Sequence, residues 1–159
     1  MARKLIVPTN ILNLQAYRVI SLAENAHDYH VEAETTTQPT HCIHCKSDNM
    51  VGFGRRVQMI KDLAMHGKRV GIYVNTRRFK CRACSKTFYE PLPEIDEKRM
   101  MTARLAEWIG KQSVKRTFTS IAEEIGITEG TVRSVFHDHV NSNQKKQSPS
   151  NRGGDGLCR

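Results

Sequence analysis

The clearest periodicity in the chain lies over residues 69–80, where Val70, Ile72 and Val74 alternate with Arg69, Tyr73, Asn75, Arg77 and Phe79. A two-residue period places the apolar set on one face of a β-strand. This strand is expected to pair with residues 55–60 across a turn at His66-Gly67-Lys68. Residues 19–22 and 29–34 read as two further strands of a hairpin turning through residues 24–28. Pro91-Leu92-Pro93 then ends the β region and acts as a linker. Beyond it the period changes. Met101, Leu105, Trp108, Ile109 and Gln112 fall at helical spacing, which predicts a helix over residues 98–112 with Trp108 in its core. Shorter helical patterns cover residues 120–125 and 129–140. Residues 141–159 are polar and rich in breakers, the composition of a disordered tail.

Charge adds a partner class. The chain carries a formal net charge of +9, and most of it comes from ten Lys and Arg between Val51 and Glu90 set against Asp62 and Glu90 alone. A basic concentration of this kind points to a polyanion, nucleic acid being the usual one. A solvated face is the plainer reading, and it loses ground because the charge coincides with the cysteines. No stretch approaches the roughly twenty apolar residues of a membrane span, and the apolar run near the start is too short for a secretory signal. The expected compartment is the reducing cytoplasm, where cysteines serve as metal ligands or free thiols.

Cys42-x-x-Cys45 and Cys81-x-x-Cys84 form two identical knuckles 35 residues apart. Each pair lets a tight turn aim two sulfurs at one metal, and two such turns complete a tetrahedral site. The intervening hairpin would bring them together as a zinc ribbon with one structural Zn2+. A redox dithiol would need a βαβ setting, which is not visible. Iron in the same geometry stays open as an alternative. His41 and His44 flank the first knuckle and are expected to be exposed or just behind the ligands. Cys158 reads as a free thiol.

Residues 119–133 carry a helix-turn-helix pattern. Ser120 and Glu123 suggest a capping box, Ala122 allows close helix packing, Gly126 suits the turn, and Thr128 is an N-cap for the second helix. Val132, Val135, Phe136 and Val140 lie on its buried side. Glu129, Gly130, Arg133, Ser134 and His137 then face outward at the start of the second helix, which in this motif enters the major groove. Arg133 is the best candidate for guanine, with Arg116 and Thr119 at the phosphate backbone. A helical hairpin with no ligand is the bland alternative. Arg55, Arg56, Arg77, Arg78, Lys80 and Arg82 of the ribbon would add phosphate contacts.

The runs His41-Cys42-Ile43-His44-Cys45 and Arg77 to Glu90, followed by the helix-turn-helix, resemble the N-terminal part of ISL-type bacterial insertion-sequence transposases, over about residues 10–140. The resemblance implies binding of double-stranded DNA at transposon ends, a place at the bacterial nucleoid, and full-length transposase or a second copy as further partners. In that family a later RNase H-like domain performs the DNA chemistry. The tail after Val140 departs from the pattern, so the expectation is a DNA-binding fragment that is not itself an enzyme. A stand-alone transcriptional regulator and a zinc-ribbon protein-interaction module are the alternatives. The expected fold class is α+β: a β-rich lead-in (1–40), a four-cysteine β-hairpin zinc ribbon (41–93), a three-helix helix-turn-helix unit (94–140) and a disordered tail (141–159).

Overall fold

A computed structural model describes residues 11–147. Its centre is a long hairpin, β3 (Met50–Met65) and β4 (Lys68–Cys81). The two strands pair antiparallel from Met50↔Cys81 to Met65↔Lys68 around a two-residue turn, His66-Gly67. Both turn residues have positive φ, the geometry that matches strand twist in tight hairpins. A second hairpin, β1 (Tyr17–Glu24) and β2 (Asp28–Thr35), closes where Asn25 Oδ1 accepts from the His27 and Asp28 N–H groups at 2.8 Å each. Such an Asx turn replaces a backbone turn with a side-chain acceptor.

Both expected hairpins are present, but the sheet is larger than a hairpin ribbon. β2 runs parallel to β4, with Val31 opposite Ile72 and Ala33 opposite Val74. Short strands β5 (Thr87–Tyr89), β6 (Ile95–Asp96) and β7 (Met101–Thr102) complete a seven-stranded mixed sheet. The fold is α+β.

Even-numbered positions of β4 face the sheet core, as the alternation requires. Val70, Ile72 and Val74 are buried with Val31, Ala33, Ile60, Leu12, Leu14, Tyr17 and Leu92. A second core joins Met101 of β7 to Leu105, Ile109, Ile121, Ile125, Val132 and Val135 from three helices, α1 (Ala103–Gln112), α2 (Phe118–Ile125) and α3 (Glu129–Gln147). Trp108, expected in the core, packs against this cluster while remaining partly exposed. No helix among the described residues is long and apolar enough to cross a membrane.

Three helix boundaries differ from expectation. α1 begins at Ala103 rather than 98, because Asp96 Oδ1 accepts from the Lys98 and Arg99 N–H groups and holds a turn there. The N-cap is Thr102, whose hydroxyl accepts from the Leu105 N–H at 3.3 Å. α2 is capped by Thr117, accepting from the Ser120 N–H, so a Ser120–Glu123 capping box does not start it. α3 does not stop at Val140. No breaker occurs before Pro149, and Lys145 and Lys146 in the last turn favour the negative end of the helix. Residues 141–147 are therefore helix instead of tail; the rest of the expected tail, Cys158 included, lies outside the described residues.

The Asp62 carboxylate fastens the helices to the hairpin. It is 3 % exposed, accepts from Thr102 Oγ1 at 2.7 Å, and takes both Nε and Nη2 of Arg104. α1 and α3 approach at Gly110, where an added Cβ would meet His139 Cγ at 2.4 Å. Gly110→Ala gains helix propensity, roughly 1 kcal/mol, but must push α3 away. We expect a net loss of about 1–3 kcal/mol in urea denaturation, relieved only in part by adding His139→Ala, because the His139 Cβ itself would stand 2.8 Å away. An unchanged midpoint in the single variant would show that the two helices are not tightly apposed.

Candidate metal centre and nucleic-acid interface

The two knuckles have the same backbone. The Cys42 N–H donates to Ser47 O and the Cys81 N–H to Lys86 O, at 2.8 and 2.9 Å. The residue after each second cysteine, Lys46 or Ser85, takes a left-handed conformation. The Arg82 N–H donates to Asn49 O, and the Met50↔Cys81 pair sets one knuckle against the other. Beneath them Phe88, Phe79 and Met50 form a small apolar floor.

The four Sγ atoms lie within 4.8 Å of one another. Cys42–Cys84 is 3.8 Å and Cys45–Cys81 is 3.5 Å. A tetrahedron of Zn–S bonds has edges of about 3.8 Å, whereas a disulfide needs about 2.05 Å. The donor set fits one zinc ion. Without a cation the thiolates oppose each other. Desolvation works against the Cys42 thiolate, but the Cys45 and His44 N–H groups and the neighbouring thiols bring it down to about 7. At Cys45 the Ser47 N–H favours the thiolate, yet desolvation and hydrogen bonding with Cys81, Cys84 and Cys42 push it up to about 11. A dication removes that conflict. His41 and His44 are exposed and outside the cluster; His44 stands edge-on to Phe88.

The basic ribbon residues divide by burial and ion pairing. Arg77 points to the protein interior: its Nε and backbone N–H donate to Glu90, and Nη2 to Thr35 O and Oγ1. The Arg77 side chain is 16 % exposed and that of Glu90 1 %. Arg77 is thus committed to a buried ion pair, contrary to its expected place among the phosphate contacts. Arg55, Arg56, Lys80 and Arg82 are exposed, and among the described residues these four and Arg78 form no ion pair. The Arg56 guanidinium lies 3.6 Å from the Tyr89 ring centroid. Arg78 Nη2 donates to Thr87 Oγ1, while its buried Nε has no partner. Arg78 and Lys80 both flank Phe53, at 5.3 and 5.7 Å. Phe53 and Tyr89 escaped the sequence reading; aromatics interleaved with Arg55, Arg56 and Arg78 are the signal that could have found them.

At the helix-turn-helix, Gly126 has φ 75° and caps α2, a conformation open to glycine at little cost. Thr128 Oγ1 accepts from the Thr131 N–H and caps α3. Thr119, Glu129 and Arg133 form an exposed chain: Thr119 Oγ1 donates to Glu129, and Arg133 donates to the same carboxylate at 2.8 Å. Gly130 and His137 are also exposed. Ser134, expected to face outward, instead accepts from Arg99 Nη2 at 2.9 Å. Arg116 is held by Ser120 and Glu124. Arg69 Cδ and Lys61 Nζ lie beside the Gly126 turn, two cations that the motif alone did not bring to this place.

Two family models match the chain. The zinc-finger of transposase IS204/IS1001/IS1096/IS1165 matches residues 38–84, which include both knuckles. The helix-turn-helix domain of transposase family ISL3 matches residues 90–140. No curated protein and no solved structure matches the chain.

Two outcomes test this geometry. Chelating the zinc at neutral pH should raise amide exchange in β5 and both knuckles while α1–α3 keep their protection, since structural zinc is coupled to folding by about 10–16 kcal/mol in small fingers. Exchange unaltered at the knuckles would mean that the apolar floor suffices without metal. Arg77→Gln should cost about 3–5 kcal/mol in thermal or urea unfolding by leaving the Glu90 carboxylate buried without its cation. A loss under about 1 kcal/mol, the size of an exposed pair, would place Arg77 at the surface.

Proposed function

Because the chain belongs to the ISL3 transposase family through its zinc ribbon and helix-turn-helix, we propose that it binds double-stranded DNA at the terminal inverted repeats of an insertion sequence. The observation that carries this reading is the sorting of the arginines. The cations that fold the protein are ion-paired, as Arg77, Arg99 and Arg104 are, while Arg55, Arg56, Arg78, Lys80 and Arg82 stay unpaired on the ribbon. Unpaired surface cations attract a polyanion and release its counterions, which supplies affinity without sequence information.

Base reading falls to the start of α3, residues 129–137. Thr128, Glu129, Gly130, Arg133 and His137 lie at its exposed N-terminal face. Arg133 must leave Glu129 to reach a guanine, but an exposed i,i+4 pair is worth only about 0.3–0.5 kcal/mol. Bidentate pairing with guanine O6 and N7 gives about 1–3 kcal/mol of discrimination. Thr119 and Arg116 then orient α2 at the backbone. In this reading residues 41–93 act as the ribbon and 94–140 as the reading unit. The role is binding: four thiolates close the zinc coordination sphere and leave no site for an activated water. At those ends the chain pairs with a second copy or with another transposase molecule of the same element.

Binding to terminal-repeat and random duplexes across a salt series tests the proposal. We expect tighter binding to the repeats, with Arg133→Ala losing most of that preference. Arg55→Ala and Arg82→Ala should weaken both duplexes alike, each lowering the salt slope by about one. Arg77→Gln, assayed where it is folded, should leave the slope unchanged. Equal affinity for every duplex would overturn end recognition, and binding indifferent to salt would overturn the basic surface.

A further inference from the structure

We propose that Phe53 is a stacking wedge of the ribbon: its ring enters an unstacked step of the bound DNA while Arg56, Arg78 and Lys80 hold the flanking phosphates. This rests on the DNA-binding reading above and extends it from backbone contact to distortion of the duplex.

Phe53 lies at a bulge of β3, where the register with β4 shifts between Gly52 and Arg55. Bulges re-aim a side chain away from the regular pleat. The residues on both sides are glycine, and a Cβ at Gly52 or Gly54 would meet no atom within 4 Å. The backbone around the ring is therefore bare, which lets another molecule come close. The ring is 48 % exposed and is not part of the Phe79–Phe88 cluster. The Phe53 ring instead faces the cations of β4, with Arg78 and Lys80 within cation–π range. Those side chains flank the ring before any ligand arrives.

The same surface continues through Arg56, stacked over Tyr89, itself paired in register with Arg78. An apolar protein partner covering Phe53 would have to desolvate three or four unpaired cations with it. DNA meets both demands together, because its phosphates neutralise the cations and its bases offer π faces. Apolar wedges in DNA-bending proteins use this combination, unstacking a step and gaining contact from the bend. The platform also depends on the metal. Lys80 precedes the ligand Cys81 and pairs with Val51 across the hairpin, so the zinc fixes the strand ends that carry the ring.

The test uses the zinc-loaded full chain and two probes, a fully paired duplex and the same duplex with an unpaired thymine bulge. Wild type should prefer the bulged probe by about tenfold, since its unstacking cost is already met, and should leave the bulge-flanking thymines reactive to permanganate. Phe53→Ala should bind both probes equally with an unchanged salt slope, and Phe53→Trp should restore the preference. Zinc content of one ion per chain in each variant shows that the ribbon is intact. If wild type binds duplex with the expected salt slope but Phe53→Ala behaves identically, the wedge is wrong and the DNA reading stands. A lowered salt slope in Phe53→Ala would also overturn it, showing that the ring merely supports Arg78 and Lys80. No binding to either probe at low salt would remove the DNA reading itself.

Discussion

The pairing of β3 with β4 is the constraint on which the other elements depend. One end of this hairpin is the metal knuckle at Cys81, paired with Met50, and the other end lies near the helices. β2 adds to its flank, β5 to its tip, and β7 to the β3 edge. Because side chains alternate strictly, one register assigns Val70, Ile72 and Val74 to the core and leaves Tyr73 and Asn75 partly exposed on the opposite face. A slip of one residue would bury Arg69 and Tyr73 and separate the two cysteine pairs. The zinc and the sheet core therefore specify the same register from opposite ends, which makes alternative pairings costly twice over.

Two buried carboxylates translate that hairpin into a defined whole. Glu90 ties β4 to the end of β2 through Arg77 and Thr35. Asp62 ties β3 to the N-cap of α1 through Thr102 and Arg104. Burying an ion costs several kcal/mol before its partners are counted, so neither pair argues for added stability. Their geometry argues for specificity of orientation: each carboxylate accepts three hydrogen bonds from donors on two elements. The helix-turn-helix is held relative to the ribbon by polar contacts of defined direction, together with Leu63 and Lys61 at the edge of its core.

Much of this was legible in the sequence, and the failures have physical causes. The two hairpins, the four-cysteine cluster and the Gly126 turn follow from periods and spacings of a few residues, which local sterics determine. The strand before Arg55 was missed because Gly52-Phe53-Gly54 reads as a break, whereas a bulge lets β3 pass through it. The parallel pairing of β2 with β4 has no local signature, since alternation says which face is buried and nothing about direction. Met101 shares helical spacing with Leu105, but the Asp96 turn and the Thr102 cap claim that segment first. Ser134 sits at an outward position of a regular helix, and only the tertiary approach of Arg99 draws it into use.

Arg77 and Arg78 show why charge along a chain is a poor measure of a binding surface. They are adjacent and chemically identical, and a composition count credits both to the same partner. The strand period sends one to Glu90 and the other to the Phe53 and Tyr89 rings. Arg77 sits on the side of β4 that also carries Phe79 and Cys81 toward the metal. Arg78 shares its side with Lys80, where the strand has run past the apolar core and the Phe53 and Tyr89 rings flank it. The surplus charge available to a ligand is thus set by where the hydrophobic pattern of β4 stops, after Thr76. Beyond that point the face that is core at Val70–Val74 continues outward as a basic, aromatic surface. Core and candidate interface are consecutive stretches of one strand face, and the second ends beside the knuckle at Cys81.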